Sequence, residues 1–396
     1  MKITGIVADY NPFTKGHKYQ IDRIKENGSD YIIAVMSGDF VQRGEPAIID
    51  KYARCAMAIR NGVDLVLELP VCYSSSDAGI FAKGAVSMLH RLGVVNELSF
   101  GVEKGYEDLV SKISSFLQDP PTAYEDELDK KLRSGLSYPK ARIAALSLFF
   151  SREELEGIDN PNVILGIEYS KVLYRLGSSI KAAPVTRMGA DFNDLSPDDS
   201  GLSSASAVRN MIREGFDPDI LIKHIPENCV DILRDNYNRN FPIGIEDFSS
   251  LIHYKLLTSD DYEIFTDISP SFAAHIKNSL NGYKDIESFI DGLKTKNITR
   301  ASVSRLLTHI LLDMKGRSPK YATYARVLGF SDKASPLLSE IKKQASIPLI
   351  SKLADADDNP YIKQDILASH IYEAVKSSKY SVESKNEYRQ EIIKGL

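Results

Sequence analysis

Ile3-Thr4-Gly5-Ile6-Val7-Ala8-Asp9-Tyr10-Asn11-Pro12-Phe13-Thr14-Lys15-Gly16-His17 opens the chain and decides how the rest is read. Ile3 to Ala8 has the apolar content of a short buried strand, and it lacks the basic start and longer apolar core of an export leader. Asn11-Pro12 stops the strand, because proline has no amide to give to a ladder. Gly16 then permits a close backbone approach before a helix starts around His17-Lys18-Tyr19-Gln20-Ile21. Strand, turn and helix in that order make a phosphate site, in which the free amides of the first helical turn and the positive end of the helix dipole face an anion above the strand. Thr14 and His17 would join them there.

Thr14-Lys15-Gly16-His17 resembles the T/H-x-G-H signature of the nucleotidyltransferase superfamily, in which the His and the first-position residue contact nucleotide phosphates. An imidazole at the helix start is a compact donor for negative charge growing on an α-phosphate under attack. A bare TxGH is more often a capping or packing histidine; its place directly after a strand favours the phosphate reading.

At 396 residues the chain is expected to hold two or three domains. Its 43% hydrophobic and 26% charged content is ordinary for a globular protein. No apolar run approaches the roughly 20 residues that span a bilayer, so a cytoplasmic protein without membrane contact is expected. Cys55, Cys72 and Cys229 are scattered and suit free thiols in a reducing compartment; they show no metal-ligand spacing. The acidic stretch from Asp355 to Pro360 reads as a loop, and no metal site is expected.

Further strands are expected at 31–36, 64–70, 97–101 and 180–187, with helices at 51–61, 79–92 and 160–177. The alternation implies an α/β fold with a parallel sheet. Residues 105–158 read as a helical insertion. The loop after the second strand carries Asp39, Gln42 and Arg43, which would face a ligand crevice and contact substrate. Gly101 ends a strand where a backbone would approach adenine or ribose closely. Asn162 sits in the first turn of a helix, Arg187 at a strand end, and Ser204, Ser206 and Arg209 at a helix start, where hydroxyls and a guanidinium form a second phosphate grip.

Taken together, Asn11 to His17, Ser37 to Gly44, Phe100 to Glu103, Ile164 to Tyr169 and Ser204 to Arg209 resemble the bacterial tRNA(Met) cytidine acetate ligase family over nearly the whole chain. The resemblance implies a Rossmann-like domain that adenylates acetate with ATP, releasing pyrophosphate. The acetyl group would then pass to N4 of the wobble cytidine of elongator tRNA(Met), forming N4-acetylcytidine. ATP is expected as co-substrate; Mg2+ is compatible with it, and the sequence neither shows nor requires that ion. By the same resemblance ATP contacts fall on Val7, Ala8, Asp9, Tyr10, Asn11, Pro12, Phe13, Thr14, Lys15, Gly16, His17, Lys18, Tyr19 and Gln20, and on Gly101, Asn162 and Arg187. Thr14 stands where the family usually has His; related pantetheine-phosphate adenylyltransferases carry Thr there.

After about residue 215 the alternation stops. The expected division is a nucleotidyltransferase-like domain over 1–215 and a mainly helical, tRNA-binding domain over 216–396. Between Lys294 and Arg326 stand eight Lys or Arg and one acid, Asp313, within a chain of net charge −5. Val303, Leu306, Leu307, Ile310, Leu311 and Met314 share one helical face and Arg305 lies opposite, so Lys294, Lys296, Arg300, Arg305, Lys315, Arg317 and Lys320 are candidate phosphate contacts for tRNA. Tyr321 and Tyr324 read as strand-core residues. No protein partner is implied. Two other functions fit part of the pattern: an adenylyltransferase acting on a phosphorylated metabolite, which leaves the basic stretch unexplained, and a catalytically inactive tRNA-binding protein, which needs no ATP.

Overall fold

The computed structural model describes residues 1–187, 202–356 and 358–395. Asp357, within the acidic stretch, lies outside them.

The strands are β1 (Ile3–Ala8), β2 (Tyr31–Ser37), β3 (Phe40–Val41), β4 (Glu45–Pro46), β5 (Leu65–Leu69), β6 (Glu97–Val102), β7 (Lys181–Thr186), β8 (Ala325–Phe330), β9 (Leu349–Ile350) and β10 (Ile393–Lys394). β3 and β4 form a separate small hairpin; the others make one sheet in the order β10-β8-β5-β2-β1-β6-β7, with β9 also on β8. From β5 across to β7 every pairing is parallel. Side chains alternate between two apolar clusters: Ile33, Val35, Leu65 and Leu67 point to one, while Ile32, Ala34, Met36 and Val66 point to the other. Both faces of the sheet are therefore covered, the arrangement that parallel strands require.

The helices that matter here are α1 (Lys15–Glu26), α2 (Lys51–Arg60), α3 (Ala78–Arg91), α4 (Pro161–Arg175), α5 (Ala205–Glu214), α6 (Arg300–Leu311) and α7 (Pro360–Tyr380). α1, α2 and α5 cover one face through Ile21, Met57 and Val208; α3 and α4 cover the other through Phe81, Leu89 and Ile167. Each such fully buried side chain contributes about 1.5–3 kcal/mol. The 105–158 region is helical, as Glu107–Phe116, Thr122–Arg133 and Tyr138–Leu146, with a break at Pro120-Pro121 between the first two.

The second half is mainly helical but also contributes three short strands. β8 joins the sheet edge antiparallel to β5, pairing Leu65 with Phe330 and Glu68 with Arg326, and β9 and β10 attach to it. Leu221, Cys229 and Phe241 share an apolar cluster with Ile21 and Met57. Residues 216–396 thus complete the sheet and its core as well as supplying helices. Arg326, counted above with the basic stretch, is buried in β8 against Glu68 and Glu387. Tyr324 is 1% exposed and donates its hydroxyl hydrogen bond to Asp365. Among the described residues no helix is long and apolar enough to cross a membrane.

Candidate active site

The carboxyl ends of β1 and β2 are held by one side chain. Arg54 on α2 is 0% exposed; its Nη1 donates to the carbonyls of Asp9 (2.7 Å) and Ser37 (3.0 Å), and its Nε to that of Ile49 (3.0 Å). A guanidinium carries five donors in a rigid fork, which suits the task of joining two strand ends. Tyr10 next takes a left-handed backbone, φ 46°, which costs a non-glycine residue of order 1–2 kcal/mol and is retained because its ring is buried against Phe13 and His17.

α1 begins with a reciprocal cap. The backbone N–H of Thr14 donates to His17 Nδ1 at 2.9 Å, so His17 takes the role that Glu or Gln usually has in a capping box. That bond fixes the tautomer: with Nδ1 accepting, the ring proton sits on Nε2. Burial, and then the positive charge of Arg187, push the His17 pKa down to about 3. The ring is a neutral N–H donor at physiological pH.

One cleft collects the pieces. It is lined by Val7 to Asn11, Thr14, Gly16, His17, Tyr19 and Gln20 from the β1–α1 segment, and by Gly101, Asn162 and Arg187 across β6, α4 and β7. Ser204, Ser206 and Arg209 close it from α5. The Ser204 side chain caps α5 by accepting from the Ala207 amide (3.0 Å), so two helix N-termini converge on the same space. Arg209 is 9% exposed and donates to the Asn11 carbonyl (2.7 Å) and Ser206 Oγ (3.1 Å); burial pulls its pKa down to about 10. Asp9 accepts from Ser37 Oγ at 2.5 Å, and burial raises its pKa. Convergent amides, hydroxyls, the guanidinia of Arg43, Arg187 and Arg209 and one neutral imidazole suit a polyphosphate whose α-phosphorus is attacked.

A family model described as HIGH Nucleotidyl Transferase matches residues 1–387. A Clostridium tetani protein named tRNA(Met) cytidine acetate ligase is 38% identical over 386 residues, 94% of this chain and 95% of that one. A Clostridium novyi protein of the same name is 37% identical over 96% of each chain. The chain belongs to the tRNA(Met) cytidine acetate ligase family. Crystal structures of Thermotoga maritima TmcAL cover all of both chains, the apo form at 31% identity and TM-score 0.92, and the form bound with alpha-thio ATP at 30% and 0.90.

Within this family member the structure separates the expected contacts. Pro12, Phe13, Lys15 and Lys18 do not line the cleft: Phe13 is buried beneath Tyr10 and His17, and Lys18 pairs with Asp22. Gln42 and Arg43 line it, but Asp39 does not. The Asp39 carboxylate turns away, accepting from the Lys51 amide at the start of α2 (2.9 Å) and from Ser369 Oγ on α7 (2.8 Å). Asp39 thus ties the loop after β2 to α2 and α7 instead of lining the cleft, where the sequence pattern had it contact substrate.

The basic-stretch residues lie outside the cleft. Arg300 is paired with Glu287 and Asp291, Lys294 with Asp291, and Lys315 with Asp313. Arg305 is half-buried; its Nη1 reaches the Gln42 carbonyl at 3.5 Å and its Nη2 donates to Ser302 Oγ at 3.1 Å. The side of α6 opposite its apolar face therefore packs on the β3–β4 hairpin at Arg305. Lys296, Arg317 and Lys320 are exposed.

Sequence reasoning missed an apolar, largely aromatic wall: Phe81, Phe100, Leu165 and Tyr169 line the cleft beside Asn162. The signal was present, since Asn162, Leu165 and Tyr169 are spaced i, i+3 and i+7 and so share one face of a helix. Gly166 is the residue that lets Phe100 approach, because a Cβ there would come within 2.7 Å of the Phe100 ring.

Proposed function

We propose that this protein activates acetate with ATP and transfers the acetyl group to N4 of the wobble cytidine of elongator tRNA(Met) in the cytoplasm. The observation that carries the reading is the convergence of the His17 helix start and the Ser204–Arg209 helix start on one cleft, in a chain of this family. Acetate's carboxylate oxygen attacks the α-phosphorus of ATP in line; a new O–P bond forms, the bond to pyrophosphate breaks, and acetyl-AMP remains. Neutral His17, through Nε2–H, and the amides of α1 stabilise the charge that gathers on the phosphoryl oxygens. The cytidine amine then attacks the acetyl carbon, displacing AMP and losing one proton.

Residues 216–396 are proposed to receive the tRNA, with the exposed Lys296, Arg317 and Lys320 better placed for phosphate contacts than the internally paired Arg300, Lys294 and Lys315. The deciding experiment measures acetate-dependent pyrophosphate release with and without tRNA, followed by mass spectrometry of tRNA incubated with ATP and isotopically labelled acetate. Acetate-dependent release together with a labelled acetylcytidine is expected. Release that ignores acetate would move the reading to the adenylyltransferase of a phosphorylated metabolite, and no release with retained tRNA affinity would leave an RNA-binding protein.

A further inference from the structure

At the β6–β7 end of the cleft three polar groups constrain one another. The side-chain NH2 of Asn162 donates to Glu103 Oε1, and Arg187 Nε stands 3.7 Å from the same oxygen. A carboxylate only accepts, so the amide of Asn162 has one orientation available: nitrogen toward Glu103, carbonyl oxygen away from it. Asn162 is 8% exposed and lines the cleft, and its carbonyl oxygen has no hydrogen-bond partner among the described residues. Its backbone N–H is already taken by the Asn160 side chain at 3.0 Å, which holds the residue in the first turn of α4. Glu103 Oε2 is buried and has no partner among the described residues. The carboxylate is therefore anchored through one oxygen and has no second bond to turn it. Gly101 lies beneath: a Cβ there would come within 3.0 Å of Arg187 Cγ, so the absence of a side chain lets the Arg187 stem cross the strand end.

We propose that Glu103 is a positioning residue that locks the Asn162 carbonyl oxygen toward the cleft, so that a hydrogen-bond donor on the nucleoside part of the substrate is read there. The inference rests on the nucleotide reading of the cleft. Two donors have this chemistry, the exocyclic amine of the base and a ribose hydroxyl. An acceptor in a nine-tenths buried site rejects a ligand that presents another acceptor, since both groups would lose water and gain nothing. Glu103→Gln, equal in size, offers a donor as well as an acceptor, so the Asn162 amide is free to turn over.

The test is direct binding of ATP, ITP, 2′-deoxy-ATP and 3′-deoxy-ATP to wild type, Glu103→Gln and Glu103→Ala by calorimetry. Binding is measured without acetate, so failure of acetate activation and failure of this inference remain distinguishable. Wild type is expected to favour ATP by about tenfold or more over the analogue that lacks the donor: ITP if the base amine is read, a deoxynucleotide if the ribose is. Glu103→Gln should lose most of that ratio, with a thermal melt that confirms the fold. In steady-state assays the change should fall on the KM for ATP and leave kcat for the bound nucleotide near wild type. Wild type that binds all four nucleotides equally, or Glu103→Gln that keeps the full ratio while folded, overturns the inference.

Discussion

His17 performs two separable tasks, and substitution can part them. Through Nδ1 it caps the Thr14 amide, and through the proton thereby fixed on Nε2 it serves the cleft. His17→Ala removes both. Loss of one donor to developing charge costs about 10²–10³ in rate, or roughly 2.7–4 kcal/mol of transition-state stabilisation. Loss of the cap costs about 1 kcal/mol of stability. Glutamine at the same helix position is an ordinary capping-box partner. His17→Gln should thus keep the melting temperature of wild type and still lose adenylation about as severely as His17→Ala. Acetate-dependent ATP–pyrophosphate exchange measures the first effect, thermal unfolding the second, and tRNA affinity should stay close to wild type in both variants. The pH dependence follows with a definite sign. With the folded pKa near 3 and the ordinary value at 6.5, the unfolded chain takes up the proton first as pH falls. Stability attributable to this ring is full above the ordinary value and declines toward the folded one, and His17→Gln removes that part of the decline. Exchange by His17→Ala within about threefold of wild type, far short of the loss of a donor to developing charge, would refute the assignment, as would an imidazole that titrates near 6.5 in the nucleotide-free protein.

Arg187→Ala should weaken ATP binding more than tRNA binding, because the side chain crosses Gly101 into the cleft; nucleotide titration against RNA gel shift reads the ratio. Gly44→Ala should destabilise the protein by about 2 kcal/mol or more, since φ there is +73° and the new Cβ would sit 2.3 Å from the Arg305 backbone nitrogen. Both a lower melting temperature and slower adenylation are expected from that change. Replacing Lys296, Arg317 and Lys320 by Ala should reduce the salt slope of tRNA binding by up to about 0.7–0.9 per side chain. The Arg300→Ala slope should stay at wild type, because Glu287 and Asp291 already neutralise that guanidinium.

What the sequence made legible was local. Ile3 to His17 carries its own strand, stop and helix start within a few residues, and the structure places them as that pattern implies. The parallel core from β5 to β7 followed from alternation with helices. The run from Tyr321 to Phe330 read as strand core; Ala325 to Phe330 is β8 and both tyrosines precede it, while its partner β5 lies some 260 residues earlier, and no periodicity encodes such a pairing. Arg54, Glu103 and Phe81 were missed for the same reason: what distinguishes them is which carbonyl, amide or ring they meet across the fold. Charge counting is blind to pairing in a different way. Eight cations in a short stretch suggested an open basic face, yet Arg326 finds Glu68 and Glu387 far along the chain, and Arg300 finds acids just before the stretch that was counted. Formal charge is a property of sequence; available charge is a property of packing.

The β3–β4 hairpin ties the second half of the chain to the cleft. Gln42 and Arg43 line the cleft on one side of this hairpin. On its other side the Gly44 carbonyl accepts from Thr308 Oγ1 at 2.8 Å, and the α6 backbone at Ser304 and Arg305 lies against Gly44 itself. Just before the hairpin, Asp39 accepts from Ser369 Oγ; just after it, the Ala47 carbonyl accepts from the Tyr372 hydroxyl at 2.9 Å. α6 and α7 therefore hold the hairpin at three points, two of them fully buried side chains. A substitution on α6 that lowers tRNA acetylation has two available causes, a lost phosphate contact or a shifted Gln42–Arg43 wall, and the yield of acetylated tRNA does not separate them. Adenylation measured without tRNA does, because only the displaced wall slows it. For Arg305, whose guanidinium reaches the Gln42 carbonyl, that control decides between an RNA contact and a wall of the ATP site.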